Sequence, residues 1–185
     1  MRFLEDSMLS ESDLIYDKKV LSFFELGCTI ITDGKAQVYL HPAFKNREVY
    51  RGVSKKEVVQ HEAVHVKRAH FIGDKYEENL AYFFSESRFR RYFGGAVRNS
   101  TDLVIMLAVI ASMVLAGWWM ENPYDALGLS AIAMGSFFLR SFITYRSLKK
   151  LLLKLSPDNL EKAFLEILEM SEGEIDRRIK DISLR

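Results

Sequence analysis

The chain changes its hydrophobic rhythm three times, and each change predicts a different kind of element. Residues 1–26 scatter apolar positions at helical spacing, and a partly amphipathic helix ending at Glu25-Leu26-Gly27 is expected there. Two β-rich runs follow in "CTIITDGKAQVYL", flanking Asp33-Gly34, a dipeptide that suits a type I′ hairpin turn. "HPAFKNREVYRGV" is punctuated by Pro42 and Gly52 and reads as a loop. Ser54 and Glu57 in "SKKE" form a capping box, which predicts a helix from Ser54 to about Ala69. Gly73 breaks it, and a second helix is expected from near Tyr76 through "EENLAYFFSESRFRRYF" to Gly94-Gly95.

The alternation then gives way to two apolar runs. Leu103–Met120 is eighteen residues without a charge, and Ala126–Ile143 contains one, Arg140. At about 1.5 Å per residue, each run is near one hydrocarbon thickness. Arg88, Arg90, Arg91 and Arg98 precede the first run, and Arg146, Lys149, Lys150 and Lys154 follow the second. The connecting turn offers only Glu121 and Asp125. The positive-inside rule therefore predicts an integral membrane hairpin with both termini cytoplasmic, in a bacterial inner membrane or its equivalent. Trp118, Trp119 and Tyr124 fall at the outer interface and Tyr145 at the inner one; Arg140 is close enough to the inner end to snorkel. Ala108, Ser112 and Ala116 on one run, with Ala131 and Gly135 on the other, form the small-residue stripe of close helix contact.

The tail, 144–185, is charged and helical. Ser156-Pro157 reads as a helix start and Ser171 with Glu174 as a second capping box. "TYRSLKKLLLKL" reads as a basic amphipathic segment lying along the inner headgroups. The expected fold class is α+β and mostly helical. A cytosolic domain spans 1–100 and a transmembrane helical hairpin 101–145. A cytosolic helical tail, 146–185, packs on the first domain.

Composition narrows the function. Twenty-six basic residues balance 25 acidic ones, which argues against nucleic acid as a partner. The single cysteine, Cys28, excludes an internal disulfide and reads as a small buried residue at a strand start. The N-terminus has early acids and no apolar core of a secretory signal.

The chemistry lies in "VVQHEAVHVKRAHF". On a helix, His61 and His65 share a face and can both point at one metal ion, while Glu62 is displaced from that ion. Glu62 is placed instead to hold a water on the ion and take its proton. At about 100° per residue, Val58, Val59, Ala63, Val66 and Ala69 fall on one arc. Lys56, Gln60, Lys67 and Arg68 fall mostly on the other, and Val64 departs from the pattern. The histidines thus sit at the seam of core and solvent. His70 lies about 180° from His61 and is not expected to be a ligand. Zinc with an open position needs a third protein ligand. The antiparallel return of the second helix favours Glu78, which shares a stripe with Tyr82, Ser85 and Phe89; Glu77 and Glu86 are the alternatives. Glu77 otherwise reads as a surface acid. The Arg88, Arg90 and Arg91 cluster reads as a marker of the inner membrane face.

"HEAVH" followed by "ENLAY" resembles the gluzincin metallopeptidases. The nearest in pattern are the membrane-bound CAAX-prenyl-protease and heat-shock membrane-protease families and their minimal soluble relatives. The resemblance covers about residues 27–95. It implies that His61, His65 and Glu78 hold Zn2+, that Glu62 is the catalytic base, and that the strand near Lys35–Leu40 is the edge that binds an extended peptide. Tyr82 stands where that pattern has an Asp that orients the first histidine, a role a phenol can fill only without charge. The expected function is a membrane-anchored zinc metalloendopeptidase acting on a peptide or protein substrate at the cytosolic face. The alternative is a non-catalytic membrane adaptor or latent pseudoprotease that keeps a metal site.

Overall fold

The computed structural model describes residues 9, 11–21, 25–32, 35–71, 74–97, 100–119 and 124–183; among those of the N-terminal segment expected to be helical there is no α-helix. A 3₁₀ turn at Glu11–Asp13 leads into strand β1, Leu14–Tyr16. Leu14 and Tyr16 pack on the cluster of Val38, Leu40, Phe44 and Val58, and that spacing of two is a strand period. β2 (Gly27–Thr32) and β3 (Lys35–Leu40) are antiparallel, with Gly27 opposite Leu40 and Thr32 opposite Lys35. The Asp33-Gly34 turn expected between them lies outside the described residues. β1 pairs with β3 in parallel, so the strand order is β1-β3-β2. The strand expected to be a free edge, β3, is therefore central. Among the described residues the open edges belong to β1 and β2.

The segment expected to be a loop carries more structure. A 3₁₀ turn, Pro42–Lys45, is capped by His41, whose Nδ1 accepts from the Ala43 amide at 3.2 Å. A two-stranded hairpin follows, β4 (Val49–Tyr50) with β5 (Val53–Ser54). Its turn residues, Arg51 (φ 51°) and Gly52 (φ 75°), are both left-handed, as a type I′ turn requires.

Helix α1, Lys55–Arg68, is capped by Ser54, whose Oγ accepts from the Glu57 amide at 3.1 Å. The reciprocal half of the box is not made, because the Glu57 carboxylate is held by Arg90 and Ser85. α1 is buried on two sides. Val58, Val59 and Val66 meet the sheet, whereas Val64 enters the cluster built by the tail, which accounts for its position off the main apolar arc. Arg68, expected on the solvent arc, is fully buried. Its guanidinium donates to the carbonyls of Ile167 (3.1 Å), Leu168 (3.1 Å) and Met170 (3.2 Å), and it pairs with Asp74. It closes the carbonyl end of a tail helix, where a cation is favourable.

The second expected helix is two short ones, α2 (Glu77–Ala81) and α3 (Arg88–Phe93). Gly73, the expected break before α2, is outside the described residues. The interruption turns Phe83 into the core, its ring 5.0 Å from that of Tyr145 and 6.0 Å from that of Phe164. Ser87 restarts the helix as the N-cap of α3.

Two helices are long and apolar enough to cross a membrane, within α4 (Ser100–Trp119) and α5 (Tyr124–Leu155). Most of the hairpin surface is left bare by the rest of the chain: Trp118, Ile132 and Leu129 are 86%, 72% and 70% exposed. The helices meet through Ala116, which is buried, and a Ser112–Ser130 hydroxyl contact of 3.3 Å. Part of the connecting turn, 120–123 with Glu121, and Arg98 lie outside the described residues. The Arg140 guanidinium meets Asp102 at 2.7 Å and the Ala96 carbonyl at 2.8 Å, at the start of the first apolar run.

α5 does not stop where its apolar run ends. Tyr145, Leu148, Leu151 and Leu152 continue one buried stripe at helical spacing, with Lys149 and Lys150 on the exposed side. The "TYRSLKKLLLKL" segment is thus core, not a headgroup-bound helix. α6 (Leu160–Leu168) begins later than Ser156-Pro157, because Asn159 supplies the cap and accepts from the Lys162 amide at 2.9 Å. α7 (Glu172–Ser183) is capped by Ser171, as the sequence implied. Among the described residues the architecture is mostly helical with a small sheet, and the tail packs on α1 and α2 through Val64, Leu80, Phe164 and Ile167.

Candidate metal centre

α1 and α2 run against each other and bring three ligand-type side chains together. His61 and His65, one turn apart, have their Nε2 atoms 3.1 Å from each other. Glu78 presents Oε2 at 3.9 Å from His61 Nε2 and Oε1 at 3.6 Å from His65 Nε2. One donor atom from each lies within 4.8 Å of the others. Tetrahedral zinc with bonds near 2.1 Å separates its donors by about 3.4 Å. The three side chains therefore fit such an ion without rearrangement of either helix. Glu86 is exposed and outside the cluster.

Glu77 is not a bystander. Its Oε1 sits 2.7 Å from His65 Nδ1. This fixes the ring so that Nε2 faces the other two ligands, the usual support for a ligating histidine. Glu77 thus makes a carboxylate–histidine contact of the kind the resemblance implies at position 82. Tyr82 makes a different contact. Its ring centroid lies 4.4 Å from that of His61, tilted by 57°, and the buried Nδ1 of His61 has no hydrogen-bond partner among the described residues. Tyr82 holds His61 by its ring, not its hydroxyl. The ring is backed by Gly94, where a Cβ would stand 2.3 Å from it.

Glu62 is 4% exposed and lines the same cleft as the cluster, its Oε2 accepting from Thr29 Oγ1 at 2.8 Å. Strand β2 can come this close because residue 27 is glycine: a Cβ there would meet Val58 Cγ1 at 2.6 Å and Glu62 Oε1 at 3.0 Å. Sequence reasoning missed Thr29, and nothing local marks it, since its role depends on β2 crossing α1.

The electrostatics are those of a proton-loaded site. Burial, aided by the charge on His65, pushes His61 down to about 3, so it is neutral and ready as a ligand. Burial works against charge on His65 as well, but the bond to Glu77 and the charges of Glu78 and Glu62 outweigh it and lift His65 to about 9. Burial raises Glu78 to about 7, with Glu77 and Glu62 adding to the effect and His65 opposing it. Burial likewise raises Glu62. A divalent cation would displace the proton on His65 and satisfy the same carboxylates.

The cluster opens into a cleft of about 520 Å³. Gly27, Cys28 and Thr29 of β2 line it, with Gln60, Tyr82 and Arg90 also on its walls. Cys28 is half-buried there, not a core residue. Of the polar groups near enough in sequence to assist, Tyr92 packs on Tyr145 at 4.9 Å between ring centroids, and His70 and Arg88 are exposed. The arginine cluster is split: Arg90 binds Glu57 at 2.7 Å and Arg91 binds the Ser85 carbonyl at 2.9 Å, so both point into the protein. Compared with protein-family models, with curated proteins and with solved structures, the chain matches none of them.

Proposed function

We propose that the protein is a membrane-anchored zinc metalloendopeptidase of the gluzincin type, acting at the cytosolic face. The observation that carries this reading is the convergence of His61, His65 and Glu78 within 4.8 Å, beside a buried Glu62 and at the floor of a cleft bounded by an open strand edge. A zinc ion held by these three supplies Lewis acidity, polarising the scissile carbonyl and acidifying water. The chain's own residues do the rest. Glu77 and the Tyr82 ring fix the two histidines. The free edge of β2 pairs with an extended substrate backbone and aligns its carbonyl over the cluster. Glu62, whose ionised form the Thr29 hydrogen bond favours against burial, takes a proton from the attacking water and delivers it to the departing amine as the C–N bond breaks. The new C–O bond, the cleaved C–N bond and the transferred proton balance as hydrolysis.

The latent-site alternative has one observation in its favour: Glu62 is almost wholly covered and already bonded to Thr29. One experiment separates the readings. Detergent-purified protein is assayed for bound metal and for cleavage of a peptide library, alongside Glu62→Gln, Glu78→Ala and Glu86→Ala. The enzyme reading expects one zinc per chain, retained in Glu62→Gln with loss of cleavage, lost in Glu78→Ala and unaffected in Glu86→Ala. Zinc without cleavage in the unaltered protein favours the latent site, and absence of metal ends the enzyme reading and leaves a non-catalytic adaptor.

A further inference from the structure

Helix α3 carries an apolar face that the described residues leave partly bare. Phe89 is 64% exposed, although it is followed one turn later by Phe93, whose ring lies 5.2 Å away. Both rings touch Phe138 of α5, at 6.4 Å from Phe89 and 5.4 Å from Phe93. Phe138 belongs to the apolar stretch of α5, and the patch continues along that helix through Leu139 and Ile143, which are 58% and 54% exposed. The same short helix is polar elsewhere. Arg88 is exposed, and Arg90 and Arg91 are turned into the domain.

The depth of this patch follows from its neighbours. Phe138 is two residues from Arg140, whose pair with Asp102 lies where the apolar runs end. α4 begins at Ser100, seven residues after Phe93, so the chain has little length in which to leave that level. We propose that α3 is an interfacial helix: Phe89 and Phe93 enter the boundary between headgroups and acyl chains, and Arg88 remains among the headgroup phosphates. Continuity with the hairpin's exposed belt selects lipid as the occupant. A cation flanking two phenyl rings one turn apart is the composition such a boundary holds. Because Arg90 of this helix grips Glu57, in the first turn of α1, the bilayer surface is tied through one ion pair to the helix bearing His61 and His65.

The proposal rests on the hairpin being membrane-embedded, and the test keeps the two failures apart. Single-cysteine proteins are made on a Cys28→Ser background with Phe89→Cys, Ile132→Cys or Lys162→Cys, labelled with an NBD fluorophore and reconstituted into phosphatidylcholine–phosphatidylglycerol vesicles. Circular dichroism melts matching the unlabelled protein establish folding, and Phe93→Cys replaces Phe89→Cys if that variant does not fold. The label at 89 is expected to be quenched best by lipid carrying a nitroxide near the acyl carbonyl. Its quenching by aqueous iodide is expected to be about fivefold weaker than at the exposed tail position 162. The label at 132 should respond instead to a nitroxide deep in the chain. Iodide access at 89 with lipid access at 132 overturns the proposal and leaves the membrane hairpin intact. Iodide access at both overturns the membrane reading as well. Shielding of 89 from both quenchers, which indicates a protein partner such as a second copy, also overturns it.

Discussion

Glu77 Oε1 lies 2.7 Å from His65 Nδ1, so the acid that neighbours Glu78 in sequence acts on the opposite side of the same histidine. One residue of α2 completes the proposed ligand set and the one before it orients His65. Glu77→Ala is therefore expected to weaken zinc binding by about 10–100-fold without changing the ligand count, with Glu77→Gln intermediate because an amide oxygen can still accept the bond. Competition with a chelating dye measures this. An unchanged affinity in Glu77→Ala would remove the orienting role.

Thr29 is the sole hydroxyl bonded to Glu62 among the contacts of the described residues. Thr29→Val keeps the shape of the side chain and deletes that bond. If Glu62 is the base, peptide cleavage should fall by about tenfold, the equivalent of one hydrogen bond in the barrier, while zinc content stays the same. Faster cleavage in this variant would instead identify the contact as a restraint on a latent site.

Arg68 satisfies three carbonyls and Asp74 at a fully buried position. Arg68→Met preserves bulk and removes every donor, leaving a buried carboxylate without its partner. A destabilisation of about 3–5 kcal/mol is expected, read as a shift of the denaturant midpoint in detergent. A change under about 1 kcal/mol would mean the pair is compensated from elsewhere.

The Glu57–Arg90 pair sets a pH dependence. Burial alone would raise Glu57, but the bonds from Arg90 and Ser85 prevail and hold its carboxyl below the usual carboxylate range. A group lowered in the folded state stabilises fully above its unfolded value of about 4.3 and loses that stabilisation as pH falls through the folded value. Tm should therefore decline below about pH 4.5. Glu57→Gln should melt lower at pH 7 and show a shallower decline in that acid window. Identical acid limbs in the two proteins would dismiss the pair as the cause.

The sequence was most legible where the determining contacts are local. Ser54 as a cap, the shared face of His61 and His65, and the apolar runs all follow from spacing along one helix. Glu78 was reachable because a tight helical return fixes which residue comes level with His65. Glu77 was not, since its role depends on how α2 is rotated against α1. The central place of β3 was hidden because β1 joins it in parallel across a long stretch of chain. Arg68 looks like a solvent residue by period and becomes buried only when the end of α6 arrives with unsatisfied carbonyls. The single-helix reading of 76–93 failed for a related reason: aromatic core demand at Phe83 overrode the continuous helical propensity of the segment.

α5 is one uninterrupted helix of 32 residues that begins in the hairpin and ends as the central rod of the tail cluster. There is no hinge between the apolar hairpin and the tail cluster. In the membrane-embedded reading proposed above, bilayer thickness becomes a variable of the fold itself. A thinner membrane tilts the span, the same rod carries that tilt under Phe83 and Phe164, and the protein's response to its lipid environment is mechanical before it is chemical.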